Sequence, residues 1–131
     1  SSLFHASDIY DHRVATSIVD LITIDRDKKG RDIRCHELAR VVADIVERTS
    51  FGSMWEVHDG VIGAIDHTWL QRKSANGRAV ILDVYTPGRE PQVQLIDFSS
   101  TVLSAHHYHL RAKRTDIRPD VLAELTAILI R

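Results

Sequence analysis

The chain has 131 residues, 44% apolar and 27% charged, the proportions of one globular domain built on a single core. With 17 basic and 18 acidic side chains its formal net charge is −1, so there is no general electrostatic drive toward nucleic acid or acidic membranes. The short apolar runs exclude a bilayer-spanning helix. The single cysteine excludes an internal disulfide and makes the reducing cytosol the default compartment. An opening Ser1-Ser2 without initiator Met is compatible with a processed chain and a removed targeting segment; delivery as an effector domain is the alternative to the cytoplasm.

Residues 8–24 place Ile9, Val14, Ile18, Leu21 and Ile22 at helical spacing, with Asp8 as the cap. The run "DRDKKGRD" (25–32) reads as a charged, solvent-facing loop. A second helix is expected from about Ile33 or Arg34 to Arg48, burying Leu38, Val41, Val42 and Ile45.

The period then changes. "MWEVHDGVIGAIDHTWLQR" (54–72) reads as two strands turning at His58-Asp59-Gly60, since Asp-Gly is a strong hairpin signal. A turn at "SANGR" (74–78) leads into the strand "AVILDVYT" (79–86), and "PQVQLIDF" (91–98) alternates as a fourth strand. Residues 99–115 carry no clear period. "RPDVLAELTAILI" (118–130) is a C-terminal helix with Pro119 near its first position. The order helix, helix, four strands, helix is an α+β fold, helices packed on an antiparallel sheet, in a single domain over 1–131.

Three residues stand out in chain order: Cys35 at a helix start, His67 in "DHTWL" and Asp83 in "ILDVY". A thiol at a helix N-terminus feels the positive end of the dipole, which favours the thiolate. An imidazole in reach moves its proton, and a carboxylate on the far ring nitrogen fixes the tautomer. Side chains alternate along strands, so His67 and Asp83 share a face only if paired residue numbers sum to an even value. Direct pairing of 67 with 83 implies a loop at Ser74-Ala75-Asn76, whereas a tight Asn76-Gly77 turn would throw Asp83 to the other face.

This order of helix-borne Cys, strand His and next-strand Asp resembles the transglutaminase-like branch of the papain-like cysteine enzymes. "DHTWL" is similar to its His-x-Trp pattern and "ILDVY" to its Asp-containing strand, a likeness covering about residues 33–86. The resemblance implies a papain-like core and thiol-dependent acyl transfer without a cofactor. Cys35 would attack an amide carbonyl of a protein or peptide, His67 would move the proton and Asp83 would orient His67. Glutamine deamidation, peptide cleavage and transamidation share that acyl-enzyme step. Arg34-Cys35-His36 departs from the Gly-x-Cys-aromatic pattern common in the branch; Arg34 and His36, with Trp69, are expected to shape the site.

Each of these residues also has a plainer role. Cys35 would serve as a small buried hydrophobe, His67 as a half-buried strand residue and Trp69 as core. Asp83 is harder to explain away, because a carboxylate on an apolar strand needs a partner. His67 is the first choice and Asp66, pointing the opposite way, the second. On that reading the chain is a catalytically silent binding module. "HHYH" (106–109) offers an i, i+3 pair, His106 and His109, that could chelate zinc on a helix; the expectation is no metal. "RAKR" (111–114) reads as a solvated basic run. If the chain is an enzyme, segments 25–32 and 99–115 are expected to border the cleft.

Overall fold

The computed structural model describes residues 4–30, 32–49, 55–73, 78–84, 92–98, 108–111 and 114–130. Within them the order is α1 (Ala6–Lys29), α2 (Cys35–Thr49), β1 (Glu56–Ile62), β2 (Ile65–Lys73), β3 (Ala79–Asp83), β4 (Gln94–Phe98), β5 (Tyr108–Leu110) and α3 (Pro119–Leu129). The strands form one antiparallel sheet in the order β4-β3-β2-β1-β5.

α1 overruns the expected loop. Residues 25–29 stay helical, with Lys29 reaching back one turn to pair with Asp25 at 3.0 Å. The helix stops one residue later at Gly30, whose φ of 61° is the left-handed conformation that lets its N–H bond the Arg26 carbonyl. At the other end His5 is the N-cap, and Asp8 sits in the first turn, its carboxylate accepting the His5 N–H at 2.9 Å. The buried stripe is rotated from the expected one. Asp8, Asp11, Ala15, Ile18, Val19 and Ile22 face inward, while Ile9 and Leu21 are exposed. The two carboxylates choose that face because the hairpin supplies their partners: Arg72 holds Asp8, and the Trp55 indole N–H donates to Asp11 at 2.8 Å.

α2 begins at Cys35 and buries Leu38, Val41, Val42 and Val46, with Ile45 half-buried. Its Glu37 is fully buried and held by two arginines, Arg34 at 2.9 Å and Arg118 at 2.6 Å, which ties the helix start to the approach of α3. Pro119 opens α3, and Leu125 anchors it in the core.

The first hairpin turns later than Asp59-Gly60 suggested. Both residues lie inside β1, and the turn is Gly63-Ala64, closed by the Ile62↔Ile65 pair with Gly63 at φ 59°. Gly60 is there for a different reason: a Cβ would collide with the His109 carbonyl and lie 2.7 Å from the Trp69 ring. β5, in the stretch without clear period, adds a fifth strand to β1 on the side away from β2. The 74–77 turn lies outside the described residues, but the ladder fixes its outcome. β2 and β3 pair as Leu70↔Leu82 through Lys73↔Ala79, an even register two residues away from direct 67–83 pairing. His67 and Asp83 therefore share a face as diagonal neighbours.

The sheet has two unlike faces. Leu70, Leu82 and Val84 pack with α1, α2 and α3 in the main core. Trp69 and Ile81 form a second cluster with Ile96 and Tyr108 on the opposite face, the face that also carries His67 and Asp83.

Candidate active site

The β2–β3 ladder ends at Leu70↔Leu82, whereas β2 continues along β1 to Ile65. Thr68 and His67 thus lie beyond the β3 ladder, and the first turn of α2 meets this part of β2. His36 Nδ1 lies 2.6 Å from Thr68 Oγ1, Cys35 Sγ lies 3.9 Å from His36 Nε2, and Cys35 is close enough to His67 for each to shift the other's titration. Two consecutive helix residues engage two consecutive strand residues that leave opposite faces of the strand. That is how a helix on one layer brings a thiol to an imidazole on the other.

His67 is fully buried and anchored at one nitrogen. Nε2 lies 2.9 Å from both Asp83 oxygens, so Nε2–H donates to the carboxylate. Tyr108 from β5 donates its hydroxyl to Asp83 Oδ2 at 2.7 Å. With Nε2 committed, the nitrogen left for the thiol is Nδ1, which has no hydrogen-bond partner among the described residues. Trp69 stacks on His67 with ring centroids 6.1 Å apart at 24°, and Tyr108 meets Trp69 edge-on at 5.2 Å, so the ring is walled as well as hydrogen-bonded.

The electrostatics of thiol and imidazole are matched. Burial pushes the Cys35 thiol up, but His36 and His67 outweigh it and bring it down to about 6. Burial likewise pulls His67 down, and Asp83 together with Cys35 raises it to about 9. The two shifts run in the directions that favour a thiolate beside an imidazolium. Burial raises Tyr108, and Asp83 raises it further, so its phenol stays a hydrogen-bond donor. All three members of the Cys35–His67–Asp83 group are buried, Cys35 at 6% exposure and the other two at 0%.

The remaining expected residues divide. Trp69 and His36 are at the site. Arg34 is not: its guanidinium is bound to Glu37 and to Asp116, so it organises the helix start and leaves the thiolate to the two histidines. Asp66, the second choice for Asp83, is exposed and pairs with Arg114 at 2.9 Å. Of the charged segments expected at a cleft, 25–29 is helix, 99–107 lies outside the described residues, and Tyr108 reaches Asp83. His106 also lies outside them; His109 is an exposed residue of β5. Among the described residues no three His, Cys, Asp or Glu side chains converge as metal ligands.

Sequence reasoning missed Tyr108 and the residues behind His36. Thr68 donates to Asp59 Oδ1 at 2.8 Å, and Asp59 is ion-paired to Arg40. Burial would raise Asp59, but Arg40 and Thr68 hold its carboxyl below the usual range. Strand alternation does place Thr68 on the helix-facing side, the one sequence signal for that network. Comparison of the chain with protein-family models, curated proteins and solved structures produced no match.

Proposed function

We propose that the chain is a thiol-dependent acyl-transfer enzyme acting on an amide of a protein or peptide, with Cys35 as nucleophile, His67 as acid–base and Asp83 as its orienting carboxylate. The observation that carries this reading is the buried His67 ring, doubly held by Asp83 at Nε2 and left with Nδ1 for a thiol at a helix N-terminus. The Cys35 thiolate adds to the amide carbonyl, and His67 gives its proton to the departing amine, leaving a thioester on Cys35. Water or a second amine then attacks the thioester while His67 takes a proton, and Cys35 is released. The resemblance in the 33–86 stretch supports the same reading and favours deamidation, peptide cleavage or transamidation.

A packed thiol in a silent binding module is favoured by one observation, the low exposure of all three residues. The two readings part on a simple acyl donor. After incubation with p-nitrophenyl acetate at neutral pH, intact-mass spectrometry should show one acetyl group on Cys35, lost in C35A and strongly reduced in H67A. A wild-type protein whose thiol stays unacylated and that releases no more p-nitrophenolate than C35A would establish the packed-thiol reading instead.

A further inference from the structure

The thiol has a second imidazole, and its hydrogen-bond direction can be deduced. The Asp59 carboxylate, held ionised by Arg40, only accepts. Thr68 has one hydroxyl proton and gives it to Asp59 at 2.8 Å. Its oxygen, 2.6 Å from His36 Nδ1, must therefore accept, so the ring carries its proton at Nδ1. The other nitrogen, Nε2, faces Cys35 Sγ at 3.9 Å. His36 is 4% exposed, and Thr68 0%, so water does not compete for these bonds.

We propose that His36 is a second proton partner of the Cys35 thiol, with Thr68 and Asp59 as positioning residues that keep its Nε2 open toward the sulfur. This rests on the thiol-nucleophile reading and deepens it. When the S–H bond breaks, its electron pair stays on sulfur and the proton forms an N–H bond at Nε2 of His36 or at Nδ1 of His67. Held at His36, the proton is donated back to the thiolate as a hydrogen bond; held at His67, it serves the departing amine. Two bases on opposite faces of β2 thus divide the work of making the thiolate and delivering the proton.

The other charged groups nearby are committed elsewhere. Just ahead of α2, Arg34 pairs with Glu37, and on the helix Arg40 pairs with Asp59 of β1. Ahead of α3, Arg118 completes the Glu37 pair. On β3 and β5, Asp83 and Tyr108 act through His67. Among the described residues, the groups acting on the sulfur itself are the two imidazoles.

Two readouts test this on the intact chain. Ring ¹⁵N shifts of His36 should report the Nδ1–H tautomer; an Nε2–H tautomer with bare Nδ1 would overturn the proposal. Iodoacetamide labelling of Cys35 against pH should show its acid limb raised by about one pH unit in T68V, lowering the rate at pH 6 several-fold, while T68S keeps the wild-type limb. Circular dichroism checks that both variants fold, and if T68V does not, the tautomer measurement in wild type decides alone. A T68V limb that coincides with wild type, while H67A moves it, refutes the role of His36 and leaves the Cys35–His67 pair standing. An ordinary wild-type thiol refutes both.

Discussion

Burying the Asp83 carboxylate costs several kcal/mol unless hydrogen bonds replace its hydration, and His67 and Tyr108 supply them. The cost falls to His67, whose ring is fixed in one tautomer and whose charge is favoured by the carboxylate and the thiolate alike. Removing the thiolate removes one of the two charges that raise His67. In C35A the ring should therefore titrate below the value of about 9 it has in the wild type, as read by imidazole NMR; an unchanged titration would mean that sulfur and ring are not electrically coupled. The need of Asp83 for a partner was legible from "AVILDVY" alone, because nothing else explains an acid in an apolar strand. Tyr108 was not: it lies 25 residues from Asp83, in a stretch without period, and a long-range hydroxyl contact leaves no local trace.

At the level of elements, the helix start and the sheet end are what meet. α2 begins at Cys35, one or two residues after the expected start at Ile33 or Arg34, and its buried stripe from Leu38 onward is the one its spacing implied. The hairpin turn and the end of α1 differ from the expected ones for a common reason. Turn-forming residue types serve other contacts here: Asp59 is recruited by Arg40 and Thr68, Gly60 makes room for Trp69 and β5, and Lys29 pairs with Asp25 along the helix. The Gly60 account is open to test. G60A forces a methyl into the His109 carbonyl and the Trp69 ring, so it should lose about 1–3 kcal/mol in urea unfolding, as overpacking does. A variant as stable as wild type would show that β5 is not pressed against that position.

For the molecule as a whole, the α+β class follows from the change of period after α2, and the structure bears it out: helices on one face of an antiparallel sheet. Among the described residues no helix is long and apolar enough to cross a membrane. The fifth strand was hidden because its pairing to β1 bridges about 50 residues of chain, and such pairing depends on tertiary contacts rather than on any window of sequence. The candidate site is a product of the same architecture. The β2–β3 ladder stops short, α2 meets the uncovered end of β2, and groups from opposite faces of the sheet converge there on one sulfur.

The central claim is that Cys35 and His67 form an ion pair, and the most direct measurement is the rate of iodoacetamide labelling against pH in wild type and H67A. A thiol pKa lowered to about 6 means that thiolate, the reacting form, persists into acid. Labelling in wild type should therefore stay fast at neutrality and fall only as pH drops through about 6, with the limb moved upward in H67A toward the ordinary value of about 8.5. A wild-type limb already near that ordinary value, unmoved by H67A, would contradict the account and leave Cys35 as a packed core residue.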